Sequence, residues 1–274
     1  MISEKSQKEL AFLQDIYIAT DWGERFAELV DEHVALPKEG RALYVAVGTG
    51  SHAMALQERA GKKLGILCVD ENAECLELAR AKALALHEQT EFQREQLDAL
   101  SLPDDWFDLV LGNASLTQPF EVKRMLAEMV RVAAPGATVA YWLPTFSSFG
   151  EFFSIYWEAL LSAQLEDHGV DVENLITDLP TVSEVERLAE QSGLQDVASW
   201  TDIEEFDYDS GEQFLNSPLI TDFLLQNWLR SVPESAHERV VQELRRIIDE
   251  ERHNGEFVLS VKATLIVGRK SRAQ

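Results

Sequence analysis

The sequence predicts an α/β protein built on a doubly wound, mostly parallel sheet of seven strands with an antiparallel closing strand. Two observations support this fold class. Short apolar segments alternate with amphipathic helical segments between residues 40 and 143, which is typical of βαβ units and of a parallel sheet covered on both faces. The segment 256–268 alternates apolar and polar side chains, as expected of one long closing strand.

The elements follow in order from their apolar periodicity. Residues 4–36 predict two helices, one with the stripe Leu10, Leu13, Ile16 and Tyr17 and one with the stripe Trp22, Phe26, Leu29 and Val30. Pro135 and Gly136 predict a turn before the fifth strand. The remaining segments predict strands at 42–47, 64–70, 91–97, 107–113, 137–143 and 195–207, and helices at 51–60, 72–87, 121–133, 181–192 and within 144–169 and 211–252.

The organisation of the chain predicts a single domain over residues 1–274. Residues 1–39 form N-terminal helices and residues 40–143 a core that carries the ligand site. The helical segments 144–180 and 209–254 interrupt the strand–helix alternation. We expect these insertions to form a cap over a substrate site.

Composition and charge limit the possible partners. The 274 residues are 46% apolar and 26% charged, which suffices for a full core. The formal net charge is −24. This disfavours nucleic acid, which requires clustered Lys and Arg, and anionic membrane surfaces. Small-molecule or protein partners remain, and the sequence does not predict the oligomeric state.

The cellular location is predicted from what the sequence lacks. The N-terminus has no basic start followed by an apolar stretch, so no signal peptide is expected. No run of about 18 apolar residues predicts a membrane span. Cys68 and Cys75 lie in an apolar strand–helix segment and are interpreted as small buried hydrophobes in a reducing compartment. We therefore expect a cytoplasmic protein.

A glycine loop follows the first predicted strand in "YVAVGTGSH", residues 44–52. Such a loop presents backbone N–H groups at a helix N-terminus, where an anionic or carboxylate group binds. A dinucleotide fingerprint needs glycines at 46, 48 and 51, and only Gly48 is present. A P-loop needs a Gly-Lys-Ser/Thr sequence, which is absent.

Asp70 ends the second predicted strand, 20 residues beyond Gly50. An acid at this position can accept hydrogen bonds from both ribose hydroxyls of an adenosine. The alternative is a helix-capping acid at a strand–helix junction. We favour the ribose role because the glycine loop and the acid occur together.

A third motif is "LDALSLPDDWFDLVLGNASL", residues 97–116. With the glycine loop, Asp70 and the later "RVAAPGATVAYW", it resembles the class I S-adenosylmethionine-dependent methyltransferases, in particular the small-molecule, quinone-biosynthesis group. The resemblance covers residues 22–143. It implies a Rossmann-like fold, S-adenosylmethionine as cofactor, and methyl transfer to a small, partly apolar acceptor.

The resemblance also implies roles for individual residues. The loop from Ala46 to Gly50 would pass under the methionine half of the cofactor, Asp70 would bind the ribose, and Asp98 would accept from the adenine amino group. An alternative register places Gln96 at the adenine. The implied cofactor-binding set is Ala46, Gly48, Thr49, Gly50, Asp70, Glu71, Asp98, Ala99 and Asn113.

Three positions depart from the family pattern. Tyr44 stands where an acid is common, Ala46 where a glycine is common, and Leu97 replaces another common glycine. An alanine is tolerated at position 46 if its φ is negative, as at a strand end, and is costly if φ must be positive. We expect these changes to affect cofactor affinity and not the fold.

Aromatic residues crowd the segment after the fifth strand, where open α/β sheets bind ligands. They predict an apolar wall or lid over the acceptor. The alternative is a helix that packs its aromatic face into the core. The residues assigned to the acceptor pocket are Trp142, Phe146, Phe149, Phe153 and Tyr156.

No catalytic residue and no metal site are predicted. His52 lies near the expected site and is interpreted as a helix-surface residue. The sequences beginning at His87 and His237 lack the second histidine of a zinc motif. The acidic run 201–212 lacks the glycine and glutamate positions of a calcium loop.

Two functional hypotheses from different classes remain. The first is a methyltransferase acting on a small molecule. The second is a non-catalytic methyltransferase-fold protein that acts as a binding or scaffold subunit, which Tyr44, Ala46 and Leu97 would favour. Aminopropyl transfer on the same fold is a weaker third possibility, because no acidic polyamine pocket is evident.

Overall fold

The computed structural model describes residues 5–87, 90–251 and 256–272. The described chain divides into two compact units. The larger unit comprises residues 5–143, 181–202 and 263–272, and the smaller unit comprises described residues within 144–180 and 203–262. Among the described residues, no helix combines the length and the apolar composition needed to cross a bilayer.

Helices and strands mostly alternate between residues 40 and 144, and consecutive helices occur before and after this segment. In order they are α1 (Gln7–Leu13), a π-helix (Gln14–Gly23), α2 (Glu24–His33), β1 (Gly40–Val45), α3 (Ser51–Ala60), β2 (Leu64–Asp70), α4 (Ala73–Leu86), β3 (Glu91–Arg94), β4 (Phe107–Asn113), α5 (Pro119–Val132), β5 (Ala133–Pro144), α6 (Gly150–Ser162), a 3₁₀ turn (Glu166–His168), α7 (Gly169–Asp178), α8 (Val182–Gln191), β6 (Leu194–Tyr208), α9 (Gly211–Asn216), a second π-helix (Leu219–Leu224), α10 (Leu225–Trp228), α11 (Glu234–Glu251) and β7 (Phe257–Lys270).

The seven strands form one sheet in the order β3-β2-β1-β4-β5-β7-β6. β1 is parallel to both β2 and β4, with Leu43 opposite Leu67 on one side and Val110 on the other. The predicted α/β class with a mostly parallel seven-stranded sheet is confirmed. Chain connections run in opposite directions from β1 and β4, so a crevice opens at the carboxyl ends of these strands.

The N-terminal segment differs from its prediction. A π-helix separates α1 from α2, and its i→i+5 hydrogen bonds make wider turns than an α-helix. The stripe predicted with 3.6-residue spacing therefore does not stay on one face. Ile16 and Tyr17 are 42% and 53% exposed, whereas Ile18 and Trp22 are buried.

Two other predictions need correction. Pro135 and Gly136 lie inside β5, not in a turn before it, and the pairing with β4 shifts register between Phe107 and Leu109 to accommodate the irregular backbone. β3 ends at Arg94, not at residue 97. The Glu95 carboxylate accepts hydrogen bonds from the backbone N–H and the hydroxyl of Ser101, which turns the chain.

The core of the larger unit lies between the sheet and α5. Leu43, Val110, Met125 and Met129 are among its fully buried members. Burying such side chains contributes about 1.5–3 kcal/mol each. Cys68 and Cys75 are buried and carry free thiols.

The smaller unit has its own aromatic interior. Phe152 stacks on Trp228 with ring centroids 4.1 Å apart, and the Tyr156 hydroxyl donates to the Trp228 carbonyl at 3.1 Å. We call this set the aromatic cluster; its members are Phe149, Phe152, Phe153, Tyr156, Phe214 and Trp228.

Candidate cofactor site

A cavity of about 290 Å³ lies in the larger unit, at the carboxyl ends of β1 and β4. Its floor is the loop after β1 together with the start of α3, and its walls come from the π-helix, α2 and the loop after β4. The lining residues include Gln14, Trp22, Glu24, Glu28, Asp31, Tyr44, Gly48, Thr49, Gly50, Ser51, His52, Asn113 and Ser115.

The loop after β1 needs its two glycines. Gly48 has φ +58° and Gly50 has φ +79°, in the region that side chains other than glycine disfavour. A Cβ on Gly48 would lie 2.7 Å from Nε2 of Gln14, and one on Gly50 would lie 3.0 Å from Cβ of Ala79. The close approach of neighbours therefore adds to the conformational requirement.

Ala46 does not have the negative φ at which an alanine would be tolerated without strain. Its φ is +56°, so the backbone at this position is left-handed and not extended. An L-residue other than glycine costs about 1–2 kcal/mol in this conformation. The loop keeps the same path that a glycine would allow, at the expense of local strain.

Asp70 joins the end of β2 to the glycine loop. Its Oδ2 accepts from the Gly48 N–H at 2.7 Å, and its Oδ1 accepts from the Asn72 N–H at 2.9 Å. Burial raises the pKa of Asp70 above 3.8, although the hydrogen bonds from Asn72 and Gly48 oppose this change. The acid thus fixes the loop, and Asn72, not Asp70, caps helix α4.

Two polar features of the cavity wall have no partner within the described protein. The buried Thr49 hydroxyl makes no hydrogen bond there. Helix α3 begins after Gly50 with no side-chain cap, so its first N–H groups are available to a ligand. An unpaired buried hydroxyl costs about 1–3 kcal/mol. A carboxylate-bearing ligand with hydrogen-bonding groups suits both features.

The N-terminal wall of the cavity was not predicted as part of the site. Trp22 Nε1 donates to the Ser115 hydroxyl at 3.0 Å, and Ser115 N–H donates to Oδ1 of Asn113 at 3.1 Å. Gln14 accepts from the Cys75 thiol at 3.2 Å. The sequence pattern does not distinguish this π-helix from an α-helix, and π-helices often occur at functional sites.

Tyr44, His52 and Asp31 form a hydrogen-bonded chain on the cavity wall. The Tyr44 hydroxyl lies 2.9 Å from His52 Nδ1, and His52 Nε2 lies 3.2 Å from Asp31 Oδ1. Asp31 also pairs with Arg59. His52 is therefore not a free surface residue: its side chain is only 15% exposed and both ring nitrogens are engaged.

Two residues of this hydrogen-bonded chain, Tyr44 and Asp31, have shifted pKa values. Burial raises the pKa of Tyr44 well above its ordinary value of 10. Burial also raises the pKa of Asp31, but the hydrogen bonds and charges of His52 and Arg59 outweigh it and hold that pKa below 3.8. Tyr44 is thus neutral and Asp31 ionised near neutral pH.

The residues expected to contact the adenine end, Asp98 and Ala99, are not among the residues that line the cavity. Glu71 Oε1 accepts from the Leu97 N–H at 2.9 Å, which brings the end of β2 next to Asp98 and Ala99. Asp98 is exposed, and its Oδ2 lies 3.6 Å from Nη1 of Arg124. Ala99 N–H donates to the Gln96 carbonyl. Their role toward a ligand stays a prediction.

The aromatic residues assigned to an acceptor pocket occupy different environments. Trp142 is buried in the larger unit, edge-on to Tyr44 at 5.6 Å. In the smaller unit, Phe149, Phe153 and Tyr156 are at most 4% exposed and belong to the aromatic cluster, while Phe146 is 43% exposed. This packing corresponds to the core alternative that the sequence left open, and their acceptor role stays a prediction.

Comparison with known proteins agrees with this geometry. Residues 42–136 match the family model described as a methyltransferase domain. A demethylmenaquinone methyltransferase of Deinococcus radiodurans is 34% identical over 149 residues, which cover 53% of this chain and 60% of the relative. The chain thus spans less than two thirds of that relative's length.

Solved structures show the same fold. The YcgJ protein of Bacillus subtilis superposes with a TM-score of 0.61 at 17% identity, covering 91% of this chain and all of the other. Phosphoethanolamine N-methyltransferase 2 of Haemonchus contortus, solved with S-adenosyl-L-methionine, gives a TM-score of 0.53 at 13% identity, over 91% of this chain and 53% of the other. The chain therefore has the fold of these solved structures, and its residues 42–136 are similar to a methyltransferase domain.

Proposed function

We propose that this protein binds S-adenosylmethionine in the cavity of the larger unit and transfers its methyl group to a small, partly apolar acceptor. The observation that carries the proposal is the glycine loop, which Asp70 holds at the carboxyl end of β1 against the cavity. The matched family model and the named relatives support the same activity.

The residues present fit this cofactor. The N-terminus of α3 and the backbone of Gly48 to Gly50 would bind the amino-acid end, and the unpaired Thr49 hydroxyl would gain a partner. Asp70 and Glu71 would bind the ribose, and Asp98 and Ala99 the adenine. Ala46 and Asn113 would lie beside the methionine portion.

The bound cofactor supplies an activated methyl group, so the protein mainly has to align the acceptor and exclude water. Correct alignment alone is worth about 7–11 kcal/mol of the barrier. Trp22 and Tyr44 are among the residues that line the cavity, and aromatic faces favour a nearby cation by about 0.5–2 kcal/mol.

The acceptor is proposed to be small, partly apolar and not anionic. Glu24, Glu28 and Asp31 line the cavity, and none of the described residues that line it is Lys or Arg. An anionic acceptor would be repelled there. The relative from Deinococcus radiodurans is named for demethylmenaquinone, which in its reduced, quinol form is a suitable first probe. Placement of this activity in the cytoplasm remains a prediction.

Isothermal titration calorimetry with S-adenosylmethionine and S-adenosylhomocysteine tests cofactor binding. We expect one site with micromolar affinity for each. No heat at high micromolar ligand would overturn the enzyme interpretation and favour a scaffold protein. Mass spectrometry of an incubation with reduced demethylmenaquinone and a panel of neutral amines and phenols would then identify the methylated acceptor.

A further inference from the structure

We propose that Tyr44, His52 and Asp31 form a proton relay that takes up the proton lost by the methyl acceptor. The proposal rests on the methyl transfer proposed above and assigns it a base. It also implies an acceptor whose reacting atom carries a removable proton, such as a hydroxyl, an amine or a quinol.

The three residues meet at the site although they come from different elements. Tyr44 lies on β1, His52 at the start of α3 and Asp31 on α2, and all three line the same cavity as the glycine loop. The two hydrogen bonds, 2.9 and 3.2 Å long, connect them without a gap. Proton transfer along such a chain requires only short shifts of hydrogen.

The charge state of Asp31 fixes the direction of the hydrogen bonds. An ionised carboxylate only accepts, so His52 Nε2 must donate to Asp31. The Nδ1 of a neutral imidazole is then an acceptor, and the Tyr44 hydroxyl donates to it. These hydrogen-bond directions therefore allow a proton to pass from the Tyr44 hydroxyl to Nδ1 of His52.

Packing holds the two rings in this orientation. Trp142 lies edge-on to Tyr44 at 5.6 Å and to His52 at 6.2 Å. Tyr44 is 2% exposed, so its hydroxyl is kept from bulk water. Because burial raises the pKa of Tyr44, the phenol stays neutral and passes a proton on without forming a lasting phenolate.

Charged side chains surround the His52–Asp31 pair. Glu28 lies on the same cavity wall as Asp31. The guanidinium of Arg59 faces Asp31. At the first residue of α3, the Ser51 hydroxyl accepts a hydrogen bond from Lys82, and Lys82 also pairs with Asp15.

The acceptor, the cofactor and the relay residues account for every bond and proton of the proposed reaction. Methyl transfer would form a bond between the acceptor atom and the methyl carbon and break the carbon–sulfur bond, whose electron pair would stay on the sulfur and neutralise it. The acceptor's proton passes to Tyr44 Oη while the Tyr44 proton passes to His52 Nδ1. The positive charge thus ends on an imidazolium beside Asp31, and solvent later removes the proton.

The first test measures the tautomer of His52 in the protein without any cofactor. Nitrogen-15 NMR of the free protein near pH 7.5 should show His52 as the Nε2–H tautomer, with an Nδ1 signal that moves in Tyr44→Phe. An Nδ1–H tautomer would overturn the proposal, because His52 would then be donating to Tyr44.

The second test uses kinetics with the acceptor identified above. His52→Gln and Tyr44→Phe should lower kcat by roughly 10²–10⁴-fold, flatten the acidic limb of the pH profile, and leave the calorimetric affinity for S-adenosylmethionine within about threefold. His33→Gln is the matched control, because His33 stacks on Trp200 and does not line the cavity; its kcat and pH profile should be unchanged.

The two proposals fail in distinguishable ways. If the wild-type protein binds S-adenosylmethionine and forms product, but His52→Gln and Tyr44→Phe keep its kcat and pH profile, the relay is overturned and the methyl transfer stands. If the wild-type protein binds no S-adenosylmethionine, both are overturned. Unchanged cofactor affinity in a variant shows that it has folded.

Discussion

Aromatic residues collect in two places in this protein, and the two places differ in their polar partners. The cluster of the smaller unit is closed: Phe152 is fully buried, and the Tyr156 hydroxyl is satisfied by the Trp228 carbonyl. In the larger unit, Tyr44 and Trp142 adjoin a cavity that also contains His52, Asp31 and the glycine loop.

Aromatic content alone therefore does not identify a ligand site in this protein. Where each polar group in an aromatic set is paired internally, the set serves stability. Where a polar group on a cavity wall lacks a partner, as the Thr49 hydroxyl does in the described structure, a bound ligand can supply the missing hydrogen bond. Substitutions at the two places should therefore affect different quantities.

The largest expected effect is on stability in the aromatic cluster. Phe152→Ala removes a fully buried ring and should lower the free energy of unfolding by about 3–5 kcal/mol, measured by urea denaturation. Phe120→Ala, at a 70% exposed position, is the control and should change it by less than about 0.5 kcal/mol. Equal effects would mean that the cluster is not a packed core.

The next effect is on cofactor affinity at the glycine loop. Asp70→Ala removes the acceptor for the Gly48 and Asn72 N–H groups as well as the proposed ribose contact. S-Adenosylmethionine binding should weaken by about 1.5–3 kcal/mol, measured by calorimetry. The exposed Asp167→Ala should bind as the wild type does. Unchanged affinity in Asp70→Ala would mean that the cofactor has been placed wrongly.

Much of the larger unit could be predicted from the sequence. The bounds of α3, β2 and β4 are those expected from the apolar pattern, because each segment shows its period locally and ends at a clear breaker. The glycine loop and Asp70 could be found for the same reason, since each directly follows a predicted strand.

The rest of the site depends on contacts that the sequence does not display. Gln14 and Asp31 reach the cavity from the N-terminal helices, and a π-helix has no simple apolar period that distinguishes it from an α-helix. The pairing of Tyr44 with His52 depends on a turn whose strained residue, Ala46, could not be given a positive φ from its identity.

Thr49→Val should change the stability of the protein and its affinity for S-adenosylmethionine in opposite directions. Thr49→Val removes a buried hydroxyl that has no partner among the described residues and should raise the free energy of unfolding by about 1 kcal/mol. It should also weaken S-adenosylmethionine binding by about 0.5–1.5 kcal/mol, because the hydroxyl can no longer bond to the ligand.

Thr90 provides the matched control for this prediction. Its hydroxyl is also buried and without a partner among the described residues, but it does not line the cavity. Thr90→Val should therefore raise stability and leave cofactor affinity unchanged. If both valine variants gave the same calorimetric result as the wild type, Thr49 would not contact the ligand.

The smallest expected effect is at Ala46. Ala46→Gly relieves the cost of a positive φ but increases the entropy of the unfolded chain, so a net gain of about 0.5–1 kcal/mol is expected. Thermal and urea unfolding would measure it. Ala81→Gly, at an exposed position within α4, should instead lose about 1 kcal/mol. A loss of stability in both variants would contradict the strained conformation of the loop.

The central claim is that the polar cavity of the larger unit holds the cofactor. A crystal structure of the protein with S-adenosylhomocysteine tests it most directly. We expect the amino-acid end of the ligand at the N-terminus of α3, a hydrogen bond to the Thr49 hydroxyl, and the ribose within hydrogen-bonding distance of Asp70. Ligand density anywhere else in the protein, with this cavity empty, would contradict it.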